Sequence, residues 1–328
     1  MKLMISITLA ALLMAATACG GTSAGQGETA GSDSSQSSEQ AAASIPQFDA
    51  DSAYEFTAAQ CAMGPRVPGT PAHKQCAEML TDKLRSWADS VIIQDAPVVT
   101  FDGKHLTARN IIAQFNPEAE GRILLLAHWD CRPWADQDPD PAKRNQPVMG
   151  ANDAASGTAV LLEIARQLKA QPSSLGIDIL LTDVEDWGAE DDEDSWALGT
   201  QYWAHNPHVA GYKPLYGILL DMVGAQGATF APEYYSANYA PSAVKTVWSA
   251  AASAGYGSFF RTEGGGGVTD DHVPVNKAGI PCIDIIDLRP DSEHGFFSGW
   301  HTTHDTMDCI DRATLKAVGQ TLLNVIYQ

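Results

Sequence analysis

Two adjacent carboxylates, Glu185 and Asp186, follow an apolar run of the sequence, Ile177 to Leu181, and lie just before Gly188. Neighbouring carboxylates repel each other, so at least one of the pair needs a metal ion, another cation or a proton beside it. The apolar run predicts a buried strand, and open α/β sheets bind their ligands at the carboxyl ends of the strands. A surface loop with incidental acidic residues explains this stretch equally well. The residues of the other loops must therefore show whether this is a functional site.

Four more polar side chains follow predicted strands or precede predicted helices. His128 ends an apolar run, Asp153 lies at the start of the next predicted helix, and Asp221 ends a further apolar run. His301 lies in the loop before the last predicted helix. One His or Asp in such a place is usually structural, but several at the same edge of a sheet indicate a functional site.

Imidazole and carboxylate groups without a thiolate are typical of a catalytic zinc site, in which three protein ligands leave one position open. The predicted ligands of one ion are Asp153, Asp186 and His301. His128 and Asp221, with Asp153 as a bridge, could hold a second ion beside it. Glu185, next to Asp186, would then face the open position as a general base.

Regular elements must position these residues. Strands are predicted at 90–100, 108–115, 122–127, 176–181, 216–221 and 280–286, and helices at 51–63, 71–87, 154–170, 198–205, 241–254 and 312–327. Strands that alternate with helices, most of them uninterrupted apolar runs, predict a mainly parallel sheet covered on both faces. The first two strands could instead form an antiparallel pair at an edge. The expected fold class is α/β, a three-layer α/β/α sandwich around a mixed, mainly parallel central sheet.

The beginning of the chain predicts an export signal and a tether. Residues 1–19 are similar to a bacterial lipoprotein signal peptide, in which Cys19 carries the lipid, with ordinary secretion as the alternative. Residues 20–44 are rich in Gly, Ser, Gln and Ala and predict a disordered linker. Residues 45–328 then form a single catalytic domain. We expect a protein of the bacterial cell envelope, lipid-anchored and facing the periplasm or the surface.

The formal net charge of -20 at pH 7 argues against a nucleic-acid partner, because binding to phosphates requires clustered Lys and Arg. An acidic surface suits a ligand with a free amino terminus, although such surfaces are more often merely solubilising. The cysteines after Cys19 are Cys61, Cys76, Cys131, Cys282 and Cys309. Their spacing predicts at most one disulfide, of open pairing, and no thiolate zinc site. We expect a monomer whose only membrane contact is the lipid.

Five segments, taken together and in this order, resemble the zinc aminopeptidase superfamily with co-catalytic metals. They are His128-x-Asp130, Asn152-Asp153-x-x-Ser156-Gly157, Glu185-Asp186, Leu220-Asp221-Met222 and His301-Thr302-x-x-Asp305-Thr306. The match covers most of residues 50–328. Within this superfamily the chain more closely resembles the glutaminyl cyclases of animal type and their bacterial relatives. The features behind that narrower resemblance are Asp270-Asp271-His272-Val273-Pro274, Trp300 directly before His301, and Phe296.

The resemblance implies a reaction and the roles of several residues. Glutaminyl cyclases convert the N-terminal glutamine of peptides and proteins to pyroglutamate and release ammonia, so the expected partners are exported chains that begin with Gln. These cyclases use one zinc ion, but every ligand of the two-metal peptidases is present here, which leaves room for a second. Glu185 would act as general acid and base, and Asp270 would form a hydrogen-bond network with Asp221.

Aromatic side chains wall a compact pocket in these cyclases. The matching residues are Phe296, Trp300 and either Trp187 or Trp196, of which Trp196 is favoured. Two positions depart from the animal enzymes: Asp186 stands where they carry Glu, and Asp284 where they carry a His of the network.

Two other interpretations stay open. With two zinc ions, the same residues would make an aminopeptidase, in which Glu185 activates a water that cleaves the first peptide bond. The third interpretation is a non-catalytic protein that binds peptides or carbohydrate. Such a protein would be expected to lack one of the metal ligands or Glu185, and this sequence has all of them. His304, Asp305 and Asp308 are expected to orient the His301 loop and not to bind metal.

Overall fold

The computed structural model describes residues 44–328, so the predicted signal peptide, Cys19 and nearly all of the predicted linker lie outside the described residues. The strands are β1 (Ser90–Val99), β2 (His105–Phe115), β3 (Arg122–His128), β4 (Gly176–Thr182), β5 (Tyr216–Asp221) and β6 (Cys282–Ile286). The helices are α1 (Ala50–Cys61), α2 (Pro71–Trp87), α3 (Gly157–Ala170), α4 (Leu198–His205), α5 (Tyr234–Tyr239), α6 (Pro241–Ser253), α7 (His272–Lys277) and α8 (Arg312–Tyr327).

The six strands form one mixed sheet in the order β1-β2-β4-β3-β5-β6. Strands β4, β3, β5 and β6 are parallel to one another, whereas β2 is antiparallel to both β1 and β4. The predicted mainly parallel sheet with an antiparallel edge pair is therefore confirmed. Because β3 to β6 run in one direction, their carboxyl ends all lie at the same edge of the sheet.

Alternate side chains of each central strand bury against opposite helical layers. Leu125 and Ala127 of β3 belong to the apolar cluster that includes residues of α1, α2, α3, α6 and α8. Leu124 and Leu126 belong to a second cluster, which includes Trp203 of α4. Full burial of each Leu contributes roughly 1.5–3 kcal/mol relative to exposure. Both faces of the sheet are thus covered, and the predicted three-layer α/β/α fold is confirmed.

The short helices α5 and α7 were not predicted from the sequence. Each has six residues, too few for a helical period of apolar positions to stand out. The ends of two strands also differ from the prediction, since β2 begins at His105 and β6 at Cys282. Element ends are the least certain part of such predictions, because local pattern does not fix them.

Helix α3 begins at the carboxyl edge of the sheet with no side-chain cap, whereas Thr70 caps α2 and Asp311 caps α8. The wider helical turn Ala151–Ser156 precedes α3 and carries Asp153 with φ/ψ of -109° and 91°. The peptide bond between Asp153 and Ala154 is cis. This irregular turn places a candidate metal ligand at the N-terminal end of a helix.

The cysteines of the described part of the chain, Cys61, Cys76, Cys131, Cys282 and Cys309, are all free thiols. The sequence allowed at most one disulfide, and none forms among these five. No helix within residues 44–328 combines the length and apolar character needed to span a membrane. The described residues all belong to one compact unit.

Candidate active site

Asp153, Asp186 and His301 meet at the carboxyl edge of the sheet. Each offers one ligand atom, and these atoms all lie within 4.8 Å of one another. His301 Nε2 is 3.3 Å from Asp186 Oδ1 and 3.7 Å from Asp153 Oδ2. All three side chains are buried. The structure thus brings together the three residues predicted to hold one ion.

Asp153 also belongs to a second group, which it forms with His128 and Asp221. The ligand atoms of this group again lie within 4.8 Å of one another. His128 Nε2 is 3.1 Å from Asp153 Oδ1 and 3.3 Å from Asp221 Oδ1. One oxygen of Asp153 therefore faces each group, as expected of a bridging ligand. The geometry accommodates one ion or two.

The residues of the first group fit a bound metal ion. Asp186 Oδ2 is a buried atom without a hydrogen-bond partner, and His301 turns its Nε2 towards Asp153 and Asp186. Leaving a buried polar atom unpaired costs about 1–3 kcal/mol, and more for a charged group. One imidazole and two carboxylates, with no thiolate, form a ligand set that zinc accepts at catalytic sites.

The electrostatics of the cluster also call for a cation. Burial raises the pKa of Glu185 well above its usual range, and it raises that of Asp221 to about 6. Burial alone would lower the pKa of His128, but its hydrogen bonds with neighbouring carboxylates raise it well above the usual value. The carboxylates of the cluster cannot all be ionised together unless a cation or protons lie beside them. A divalent cation would replace these protons.

Asp130 fixes the position of Glu185 and Asp186. Its Oδ1 accepts a hydrogen bond from the Glu185 N–H at 3.2 Å, and its Oδ2 accepts one from the Asp186 N–H at 3.3 Å. Asp130 follows β3, whereas Glu185 and Asp186, whose N–H groups donate to it, follow β4. One buried carboxylate thus joins two neighbouring strand ends. The sequence motif contained Asp130, but its role depends on the pairing of the strands.

Arg132 also belongs to the site, although no role was predicted for it. Its Nη1 is 3.3 Å from Asp186 Oδ1, and its Nη2 is 2.6 Å from Asp136 Oδ2. The guanidinium carbon lies 5.2 Å and 5.0 Å from the ring centroids of Trp134 and Trp196. Arg132 therefore supplies a positive charge beside a candidate ligand and supports the aromatic wall. A basic residue in the loop after a predicted strand, in so acidic a chain, was the available signal.

A cavity of about 220 Å³ opens over the candidate metal ligands. Its lining includes Asp153, Glu185, Asp186, Trp196, Asp221, Asp270, Phe296, Trp300 and His301. The ring centroids of Phe296 and Trp300 are 4.8 Å apart, and Trp300 stacks on His301 at 3.8 Å. Buried His128 lies outside this lining. The structure thus gathers the predicted catalytic and pocket residues around one small space.

Trp196, and not Trp187, lines this cavity. The Trp196 ring lies nearly parallel to the His301 imidazole, with centroids 6.2 Å apart. The Trp187 indole N–H donates instead to Asp102, and the Trp187 ring packs edge-on against Trp134. The structure places at the pocket the tryptophan that the sequence favoured.

Asp270 and Asp221 lie at the same cavity without a hydrogen bond between them in the part of the chain that the structure describes. Asp270 Oδ1 accepts a hydrogen bond from the Asp271 N–H at 2.5 Å, and Asp270 Oδ2 is buried without a partner. Burial raises the pKa of Asp270 well above its usual range, and the charge of Asp221 adds to this shift. The hydrogen bond predicted between these two residues is therefore not formed, and their carboxylates repel each other.

A larger cavity of about 600 Å³ adjoins the first one and lies beside α4 and α7. The two cavities share Trp196, Thr269 and Asp270 in their walls. The candidate metal ligands and Glu185 line only the smaller cavity. The candidate catalytic residues therefore line the smaller cavity and not the larger one beside it.

The fold and the paired ligand groups define a metal-dependent enzyme of the aminopeptidase type. A family model described as peptidase family M28 matches residues 110–326, and the chain belongs to this family. The superfamily resemblance drawn from the sequence motifs is therefore confirmed.

Known proteins similar to this chain are named as glutaminyl cyclases or as exopeptidases. The crystal structure of a glutaminyl cyclase from Bacteroides thetaiotaomicron, bound to N-acetylhistamine, is 50% identical, covers 87% of this chain and 99% of that chain, and has a TM-score of 0.85. A Zn-dependent exopeptidase from Parabacteroides distasonis is 51% identical, covers 87% of this chain and 100% of that chain, and also has a TM-score of 0.85. Glutaminyl-peptide cyclotransferase of Bos taurus is 26% identical over 295 residues, 78% of this chain and 76% of that protein.

Proposed function

We propose that this protein is a glutaminyl cyclase, which converts the N-terminal glutamine of peptides and proteins to pyroglutamate with release of ammonia. The observation that carries the proposal is the small aromatic cavity in which Glu185 and Asp270 lie beside the candidate metal ligands. The similarity to a solved bacterial glutaminyl cyclase over most of the chain supports it.

The reaction needs a carrier for one proton. The α-amine of the substrate attacks its own γ-carboxamide carbon, a carbon–nitrogen bond forms, and the bond to the departing NH₂ group breaks. The proton lost by the amine is the one gained by the leaving nitrogen, so one side chain can serve both steps. Glu185 lies at the cavity, and burial raises its pKa well above the usual range, which favours a carboxylate that both accepts and returns a proton.

Asp153, Asp186 and His301 would hold one zinc ion. When bound, zinc supplies a Lewis acid that polarises the γ-carbonyl of the substrate glutamine. We propose a single ion, although His128 and Asp221 offer ligands for a second.

The remaining residues orient the substrate and exclude water. Asp270 Oδ2 has no partner in the protein and can accept a hydrogen bond from the departing amide nitrogen. Trp196, Phe296 and Trp300 restrict the cavity, which favours the folded conformation in which amine and carboxamide meet. The adjoining larger cavity has room for the residues that follow the terminal glutamine.

An aminopeptidase is the second candidate, and the group of His128, Asp153 and Asp221 is the observation that favours it. Asp153, with the ligands on either side of it, would hold two ions, and such a pair supplies activation of a water molecule. Hydrolysis consumes that water, whereas cyclisation must exclude it. The exclusion of water from the cavity and the number of bound metal ions therefore distinguish the two activities.

The test uses the purified protein, loaded with zinc, and two peptides that differ only in an N-terminal Gln or Leu. Mass spectrometry should show that the Gln peptide loses the mass of one ammonia molecule while the Leu peptide is unchanged. Chelation of the metal should stop the reaction, and added zinc should restore it. Removal of the first residue from either peptide would instead establish an aminopeptidase, and no change in either would contradict both.

We also propose that the protein is exported and lipid-anchored in the bacterial cell envelope, as a monomer that acts on exported chains. The support is the lipoprotein-like signal 1–19, Cys19 and the linker 20–44. Replacement of Cys19 by Ser should move the protein from the membrane fraction to the soluble fraction of cells. Unchanged membrane association would contradict the anchor.

A further inference from the structure

The larger cavity, of about 600 Å³, is a groove between α4 and α7, and both helices begin next to residues of the candidate active site. The backbone N–H of Ala197, the residue before α4, donates to the carbonyl oxygen of Glu185 at 3.0 Å. Helix α7 begins two residues after Asp270, whose carbonyl oxygen accepts the N–H of Val273 at 2.9 Å. This α4–α7 groove therefore leads away from the space in which Glu185 and Asp270 lie.

Trp196 stands between the α4–α7 groove and the smaller cavity and lines both. Its indole N–H donates to the carbonyl oxygen of Ala189 at 3.0 Å, and its ring packs on Gly188 so closely that an added Cβ would overlap the ring. Trp196 is thus held in one position as a dividing wall. A peptide whose first residue occupies the smaller cavity would reach the groove past the other two shared residues, Thr269 and Asp270.

Apolar side chains make up much of the lining of the α4–α7 groove. They are Ala197, Ala204, Val273, Pro274 and Ala278, together with the ring of Trp196. Ala204 and Pro274 are half-buried and Ala278 is exposed, so part of this apolar surface faces solvent. Covering such surface favours binding roughly in proportion to the apolar area removed from water. The three alanines are small and leave room for a large side chain of a ligand.

The exposed charged side chains of the groove offer little to a charged ligand. Lys277 Nζ lies 3.8 Å from Asp194 Oδ1, so these two charges largely offset each other. Glu193 is the other exposed acidic residue of the lining. Exposed charges of this kind contribute weakly to binding, because water and salt screen them. The lining therefore selects for apolar character more than for charge.

We propose that the α4–α7 groove is the subsite for the residues that directly follow the N-terminal glutamine, and that it prefers a large apolar side chain at the second or third position of the substrate. The proposal rests on the proposed function, because the glutamine must occupy the smaller cavity for the next residues to reach the groove. An extended chain advances only about 3.3–3.6 Å per residue, so these first residues are the ones that lie beside the shared wall.

The first test uses the zinc-loaded wild type and four peptides of five residues. One is Gln followed by four Ala, and the others carry a single Leu at position two, three or five. Leu at position two or three should raise kcat/KM by about 10-fold, since its burial removes apolar surface from water, whereas Leu at position five should have no effect. Cyclisation at equal kcat/KM for all four peptides would overturn the subsite and leave the proposed function intact. Removal of the first residue with the same dependence on Leu would contradict the cyclase and support the subsite.

The second test fills the groove from either side with Ala204→Trp on α4 or Ala278→Trp at the end of α7. The readout is the kcat/KM of the better Leu peptide divided by that of glutamine amide, a single residue that ends within the smaller cavity. This ratio cancels effects on folding and metal content, and it should fall by about 10-fold in both variants. Ala252→Trp, at an exposed alanine of α6 outside the groove, is the matched control and should keep the wild-type ratio. A wild-type ratio in both groove variants would overturn the proposal.

Discussion

The Asp305 carboxylate accepts a hydrogen bond from the backbone N–H of Asp153, which lies 3.0 Å from Asp305 Oδ2. Its other oxygen accepts one from the Asn152 N–H at 2.7 Å. Asp305 follows His301 in the same loop. Its side chain therefore connects the loop of the candidate ligand His301 to the turn that carries the candidate ligand Asp153. The two segments are therefore held together before any metal binds.

Loss of the two hydrogen bonds to Asp305 should weaken metal binding. Replacing Asp305 by Ala removes both acceptors and leaves two buried N–H groups unpaired. We expect the zinc affinity of the protein to fall by about 10–100-fold, as is typical when the support of a ligand is removed. Competition with a chromogenic chelator measures this affinity.

Asp308→Ala is the matched control, because the Asp308 side chain is exposed, and the structure does not support the orienting role that the sequence predicted for it. Its zinc affinity should equal that of wild type. An Asp305→Ala protein that binds zinc normally would show that the segments hold their positions without the carboxylate.

Replacement of Glu185 by Gln should nearly abolish turnover. The amide keeps the size of the side chain but cannot accept a proton, and general acid–base catalysis contributes typically 10²–10⁴-fold to rate. We expect kcat to fall by about that factor with KM changed little, since the loss affects the transition state more than binding. Zinc content and thermal stability of the variant serve as controls. Normal kcat in a correctly loaded variant would rule out Glu185 as the proton carrier.

The two tryptophans near the site give a second paired experiment. Trp196→Ala should widen the cavity, admit water and lower kcat/KM for Gln peptides by about 10-fold or more, because the folded substrate is held less firmly. Trp187→Ala removes an equally large side chain outside the cavity. It should reduce stability, by about 3–5 kcal/mol as for other buried aromatic residues, with less effect on kcat/KM of the folded enzyme. Equal losses of kcat/KM in both variants would contradict the assignment of Trp196 to the pocket.

Asp138 should make stability depend on pH in the acid range. Burial would raise its pKa, but hydrogen bonds from the Thr303 N–H and hydroxyl and from the Asp140 N–H lower it to about 2. A pKa below the unfolded value means that the folded state favours the ionised form. The stabilisation is therefore complete above about pH 4 and disappears as the pH falls through 2.

Comparison with Asp138→Asn isolates this contribution. At neutral pH the variant should be less stable by about 1–3 kcal/mol, the usual range for hydrogen bonds to a charged group. Denaturation in urea at several pH values should show the difference shrinking between pH 4 and pH 2. A difference that stays constant over this range would mean that Asp138 is not the titrating group.

The central strands were predictable because they are buried on both faces. Runs such as Leu124 to Leu126 then read as continuous apolar segments, and their order along the chain implies a parallel sheet. The topology in turn placed the residues after each run at one edge, which is why Asp153, Asp186 and His301 could be selected together. The family resemblance added the roles of Glu185 and Asp270.

Other parts of the site depend on proximity between segments that are distant in sequence. The contact of Arg132 with Trp196 and the encounter of His272 with Glu233 and Asp284 have no local pattern. Helix α7 is too short for a periodic signal. These features follow from tertiary packing, which single-sequence patterns do not encode.

The chain order of the candidate ligands bears on how the protein obtains its metal. Asp153 and Asp186 come from the middle of the chain, but His301 follows β6 and is close to the final helix. A nascent or translocating chain therefore has no complete metal site until its last segment has folded. If the chain is exported as we propose, its ion would come from the compartment in which folding ends and not from the one in which synthesis begins. For an exported chain, zinc availability outside the cytoplasm would then set the fraction of molecules that become active.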